Sequence, residues 1–259
     1  MKKILFLVAT FAFVSFTNAQ ESVDSASAAK VVKKRKSNGN SSNNSSTPLF
    51  VSHPADHLLI QFGSDSWTNK PNSINTNGGK HFNIYLMTEK PFKTNPKFSV
   101  AYGLGIGSSN IYFNNTTINI GSDSGKLTFN DATGKEHFKK YKLTEIFLEA
   151  PVEIRYTFNP DNPNKSWKIA LGAKVGTLLK AFTKGKDLLK ADGTSIYGPT
   201  FIRKEYSKKL LNTTRLSFTG RVGYGNFTLN ASYSITPVIK SGFGAELNTM
   251  SVGVCIGGL

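Results

Sequence analysis

One segment constrains this chain more than any other: Leu143 to Phe158, reading LTEIFLEAPVEIRYTF. Its even positions, Ile146, Leu148, Ala150, Val152, Ile154, Tyr156 and Phe158, are apolar, while Glu145, Glu149, Glu153 and Arg155 stand at odd positions. Successive side chains of a strand point to opposite faces, so the segment makes a strand with one greasy face and one ionic face. It exceeds the usual globular strand of about five or six residues. A tilted strand crossing a bilayer takes about 9–11, and this one is long enough. Two residues break the pattern: Pro151 sits mid-strand and removes a ladder hydrogen bond, and Phe147 is apolar on the ionic face. A local bulge would rationalise the proline.

Seven further windows repeat the alternation, and helical periodicity fits none of them as well. In chain order they hold Leu58, Ile60 and Phe62, ending near Trp67; Phe82 to Leu86; Phe98 to Ile106; and, after the segment above, Trp167 to Leu179, Leu216 to Tyr224, Phe227 to Ile235 and Met250 to Ile256. Together they give eight strands, an even number, as in single-chain bacterial membrane barrels. Short connections at Thr88 to Pro96, Asn159 to Ser166 and Gly225-Asn226 alternate with long ones near residues 68–79, 114–141, 184–208 and 237–246. Outer-membrane barrels have short periplasmic turns and long outer loops, which places both termini in the periplasm. Within the long loops, Lys184 to Lys190 and Arg203 to Leu211 read as short loop helices. The expected fold is all-β: an eight-stranded antiparallel up-and-down transmembrane β-barrel with a disordered N-terminal lead segment.

The N-terminal composition agrees with export. Lys2 and Lys3 precede an apolar run from Ile4 to Phe16, and Thr17-Asn18-Ala19 makes a small-residue cleavage site, so residues 1–19 read as a signal peptide. Residues 20–54 are rich in Ser, Asn and Lys and cannot bury enough apolar surface to offset their ordering entropy. Their basic cluster, Lys30, Lys33, Lys34, Arg35 and Lys36, reads as part of a solvated linker. Residues 55–259 form the barrel domain. No later apolar run reaches the roughly 18 residues of a membrane helix, so any insertion uses strands. The single cysteine, Cys255, excludes an internal disulfide, and a closed barrel is stable without one because it leaves no unpaired edge.

With the apolar faces toward lipid, the interior receives Glu145, Glu149, Glu153, Arg155, Lys168, Lys174, Lys180, Arg215 and Arg221. Antiparallel pairing predicts Lys174 near Glu149 and Glu153, and Lys180 near Glu145. Buried charges need partners, and an eight-stranded barrel has room only for its own side chains, so this set reads as a structural plug. Phe98, Tyr156, Phe158, Trp167, Tyr224 and Phe227 fall near the short turns and make one aromatic girdle. Trp67, Tyr112, Phe113 and Phe182 are expected to make the other.

The signal ending NAQ, the eight-strand meander, EAPVEIRY and the closing SVGVCIGGL resemble the outer-membrane β-barrel family of Bacteroidetes, which includes the PorT-like proteins. The resemblance spans about residues 50–259 and is specific for fold. It implies an outer-membrane location and insertion by the barrel assembly machinery. The leading reading of the chain is a non-enzymatic barrel with a structural, docking or secretion-accessory role. A small-solute pore and a soluble lipocalin-like barrel, apolar faces inward around a ligand, are the alternatives. No metal-ligand spacing, phosphate loop or nucleophile elbow occurs, so no catalytic residue, metal or cofactor is expected. Among the histidines, His53, His57, His81 and His137, only His81 approaches an acid, Asp65, and it reads as a rim histidine. The net charge of +16 is shared by the lead segment, the lumen and the outer loops, and the loop lysines Lys135, Lys139, Lys140, Lys184, Lys186, Lys208 and Lys209 are expected to meet outer-membrane lipid and lipopolysaccharide phosphates. Other envelope proteins are possible partners. An exported barrel has little access to nucleic acid.

Overall fold

The computed structural model describes residues 58–71, 74–121 and 125–257. The expected signal peptide and lead segment, with His53 and His57, lie outside the described residues. The strands are β1 (Leu58–Thr68), β2 (Thr76–Pro91), β3 (Phe98–Phe113), β4 (Thr116–Ile118), β5 (Phe129–Asp131), β6 (His137–Thr157), β7 (Trp167–Leu189), β8 (Ile202–Tyr206), β9 (Thr214–Tyr224), β10 (Phe227–Ser234) and β11 (Asn248–Gly257). Eight of them close a ring in the order β1, β2, β3, β6, β7, β9, β10, β11, with β11 paired back onto β1 and every pairing antiparallel. These eight coincide with the eight alternating windows. β4 and β5 form a separate hairpin, and β8 lies on the far end of β7.

The wall is greasy outside. Leu86 and Leu171 are each 66% exposed, and Leu104, Ile154, Phe218 and Leu229 are exposed beside them. The charged face of the same strands is buried. This is the reverse of a lipocalin-like barrel, whose apolar faces would line the interior. At the short-turn end Phe98 packs on Tyr156 with ring centres 4.9 Å apart, and Trp167 on Tyr224 at 5.9 Å, all facing outward. That girdle forms as expected.

The opposite girdle needs correction. Trp67 and Phe113 are buried, with ring centres 5.6 Å apart, because they share the phase of the inward residues Asp65 and Ile111. They belong to an apolar core that caps the barrel at its long-loop end. Ring residues Leu143, Phe147 and Leu178 meet loop residues Ile118, Ile120, Leu127, Leu210, Leu211, Ile239 and Leu247 there. The loops are tied down by their own hydrogen bonds: Leu127 N to Phe243 O at 2.7 Å, Asn212 Nδ2 to Pro237 O at 2.7 Å, and Tyr141 Oη to Ile118 O at 2.8 Å.

Neither predicted loop helix forms. Lys184 to Leu189 continues β7, and Ile202 to Tyr206 is β8, paired with it. The outward stretch Phe182, Lys184, Lys186 alternates with Thr183, Gly185 and Asp187, a strand period that the long-loop reading hid. Pro151 needs no bulge either. Lys174 faces Pro151 across β7, and on β3 the register is the same on both sides, with Tyr102 opposite Val152 and Gly105 opposite Glu149. Pairing with β3 lapses only at Ala150 and Pro151, where the missing N–H falls. The bulge lies elsewhere: Ile146 pairs with Lys180 but Phe147 with Leu178, so Leu179 is the extra residue.

Candidate functional site

The interior is a stack of ion-paired layers. Nearest the short turns, Arg221 grips Glu153 with two nitrogens, Nη2 at 2.6 Å from Oε2 and Nε at 3.1 Å from Oε1. Arg155 joins the same carboxylate through Nε at 3.1 Å and reaches Glu89 through Nη1 at 2.6 Å. Ser99 donates to the other oxygen of Glu89. The planar fork of arginine suits such shared carboxylates, since each N–H has a fixed direction.

The middle layer centres on Glu149. Tyr85 donates to its Oε2 at 2.6 Å, Lys174 Nζ lies 3.2 Å from the same oxygen, and Arg215 Nη2 meets Oε1 at 2.6 Å. The guanidinium of Arg215 also stacks over Phe147, 3.8 Å from the ring centre. That contact gives the apolar intruder on the ionic face its place: it is the platform on which the lumen ends and the cap begins. Gly107 and Gly176 flank Glu149, and a Cβ at Gly107 would fall 2.6 Å from its Oε2. Glycine there makes room for the carboxylate.

Above it, Asp65 accepts from Ser109 and contacts His81 Nδ1 at 2.7 Å. Both partners are buried, so His81 is an interior residue and not the rim histidine expected. A nucleophile–base–acid chain would put a hydroxyl on the far nitrogen of the histidine. Here the serine sits on the acid, and His81 Nε2 has no hydrogen-bond partner among the described residues. It faces a polar cavity with room for about one water, lined also by Lys174, Arg215 and Thr249.

The nine residues expected in the lumen do not all arrive there. Glu145, Glu149, Glu153, Arg155, Lys174 and Arg221 are buried, and Arg215 is nearly so. Lys174 reaches Glu149 but makes no ion pair with Glu153, which belongs to the arginines. Lys168 stands at the short-turn mouth, in a cleft with Glu89, Arg155 and Arg221. Lys180 is outside the barrel, its Nζ 4.8 Å from the ring centre of Tyr206. The Leu179 bulge causes this, because one extra residue inverts the facing of everything beyond it. Glu145 therefore has no Lys180; it lies instead beside Arg215, Asn212 and Thr249 under the cap.

Sequence reasoning also missed Tyr85, Glu89, Asp65 and Ser109 as lumen residues. Their signal was available in phase: Tyr85 and Glu89 alternate with the outward Ile84, Leu86 and Thr88. With them, among the described residues, five carboxylates in the layers below the cap (Asp65, Glu89, Glu145, Glu149, Glu153) meet four cations (Arg155, Lys174, Arg215, Arg221), and Lys168 stands at the mouth. Among the described residues no group of three His, Cys, Asp or Glu is placed to hold a metal.

No curated protein matches the chain. Among solved structures it is similar to Ail, the attachment invasion locus protein of Yersinia pestis, in complex with the heparin analogue sucrose octasulfate. Identity is 14%, coverage 77% of this chain and 94% of that one, and the TM-score 0.35. A mutant porin of Rh. blastica matches at 12% identity over 77% of this chain and 99% of that one, with a TM-score of 0.13. The family model for the outer membrane protein beta-barrel domain matches residues 25–240, most of the chain. With the closed ring, the lipid-facing wall and that match together, the chain belongs to the outer membrane protein beta-barrel family.

Proposed function

We propose that the protein is a non-enzymatic barrel that stays closed to solutes and acts through its outer surfaces, in a structural, docking or secretion-accessory role. The observation that carries this reading is the coordination of Glu149 by Tyr85, Lys174 and Arg215, with strands on opposite sides of the ring tied through one carboxylate. A conducting pore needs a continuous wet path. Here the ionic layers fill the interior, and the apolar cap around Leu211, Ile239 and Leu247 covers one end. The short turns and the aromatic girdle support an orientation with both termini periplasmic and the cap at the cell surface. The finer likeness to PorT-like proteins of Bacteroidetes belongs to this reading.

Planar-bilayer recording tests it. The purified full-length protein is expected to insert without unitary current steps. Steady, reproducible steps from the unmodified chain would overturn the closed-barrel reading in favour of a pore.

A further inference from the structure

The two longest strands run on beyond the lipid-facing wall, and their outer face changes character there. On β6 the outward apolar series ends at Ile146, and the next outward positions are Thr144, Lys142 and Lys140. Past its bulge, β7 presents Lys180, Phe182, Lys184 and Lys186 on that face, and β8 adds Lys204 and Tyr206. Strand pairing sets Lys142 opposite Lys184, Lys140 opposite Lys186, and Lys184 opposite Lys204. Three lysines therefore stand in one row across three strands, with a second pair beside them.

Like charges directly opposite each other destabilise an antiparallel sheet, so this row opposes folding unless something neutralises it. The nearby acids face elsewhere. Glu205 lines the inner side of this outgrowth and pairs with Arg203 at 2.8 Å, and buried Asp187 accepts from Ser195 at 2.6 Å. Among the described residues no carboxylate pairs with Lys140, Lys142, Lys184, Lys186 or Lys204. Lys142 donates to Asn110 Oδ1 at 2.7 Å and lies 5.6 Å from the ring centre of Tyr112. Between Tyr112 and the paired lysines lies a cleft of about 130 Å³.

We propose that this lysine row binds the phosphate groups of phosphorylated membrane lipid. Its depth selects the source. The row begins four residues above Ile146 on a wall that faces outward, at headgroup height where the apolar band stops. The Phe182–Tyr206 pair, ring centres 5.3 Å apart, lies between the lysines and the band, the level favoured by aromatic side chains at a membrane interface. The proposed orientation decides only which leaflet supplies the lipid, and binding in detergent does not depend on it or on a closed lumen.

The test uses the full-length protein in detergent, titrated with bisphosphorylated lipid A, dephosphorylated lipid A and inorganic phosphate. The bisphosphorylated lipid is expected to bind more tightly than the dephosphorylated one, with an affinity that falls as salt rises. Replacing all five lysines (K140Q, K142Q, K184Q, K186Q, K204Q) should weaken it at least about tenfold, several phosphate-facing charges being lost. The single Lys184→Gln variant removes the centre of the row. Without phosphorylated lipid it should unfold at the same or higher urea than the parent, and it should still lose affinity. Unchanged binding by the five-lysine variant or by Lys184→Gln, equal binding of the dephosphorylated lipid, or equal affinity for inorganic phosphate alone would each overturn the proposal.

Discussion

The two ends of the interior are built on opposite principles, although the same strands line both. On β6 the inward residues run Tyr141, Leu143, Glu145, Phe147, Glu149, Glu153 and Arg155, apolar at the cap and ionic below. The cap is covered by loops of the chain itself and packs like a soluble core. Among the described residues the lower interior is enclosed by the wall alone, and its filling comes from long side chains whose charges must cancel across the ring. Phe147 and Arg215 mark the seam, the ring of one carrying the guanidinium of the other. Ionic filling ties distant strands together through single atoms, whereas apolar filling spreads the same task over many contacts. One substitution should therefore damage the two ends very differently.

The sharpest break is Glu149→Gln. It leaves Lys174 and Arg215 facing each other beside a neutral amide, and removing one partner of a buried ionic cluster costs about 3–5 kcal/mol. Urea titration of the protein refolded into lipid vesicles should show that loss as a global shift of the unfolding midpoint. The matching cut in the cap is Leu247→Ala, at a fully buried position. A loss of about 2–3 kcal/mol is expected, at the low end for a buried leucine because a loop collapses more readily than a strand. Here hydrogen exchange should quicken in the cap loops and leave the ring amides slow. If Leu247→Ala opened the ring as widely as Glu149→Gln, the two ends would not be separate structural units.

How much of this was legible depended on phase. The outward face of all eight strands could be read because alternation is local, and so could Glu149, Glu153 and Arg155 on the inward face of β6. Lys180 could not, because Leu179 and Lys180 stay in step with the alternation read from Val175 and Gly176, so the sequence shows no break where the extra residue Leu179 enters. The lysine row was hidden for the same reason: its members were visible singly as loop lysines, but their alignment depends on a register set beyond that bulge. Trp67 and Phe113 could have been placed correctly, since both are out of phase with the outward residues of their strands. Their residue type suggested a girdle and their parity did not. The cap as a unit was not legible, because Leu210, Ile239 and Leu247 lie in irregular segments without a period to read.

The smallest expected effect sharpens the contrast from outside the barrel. Asp131, at the end of β5, is fully exposed, and its Oδ1 accepts from Thr133 N at 2.9 Å and Thr133 Oγ1 at 2.6 Å. The side-chain bond first, then the backbone bond, holds its carboxyl below the ordinary value of 3.8. A carboxylate depressed on folding contributes order that is fully present above its unfolded pKa. That order is lost as pH falls through the folded value. Between neutral pH and about pH 4 the turn should thus be unchanged, and it should loosen only below that. The Thr133 amide shift, followed by NMR in micelles, is expected to titrate with a midpoint under 3.8 and to go flat in Asp131→Asn. Asp192 repeats the motif with Thr194 in the loop between β7 and β8 and should titrate the same way. A midpoint at or above the ordinary carboxylate value at both sites would show that these surface bonds do not hold in solution. The ordered part of the long-loop end would then be the buried cap alone.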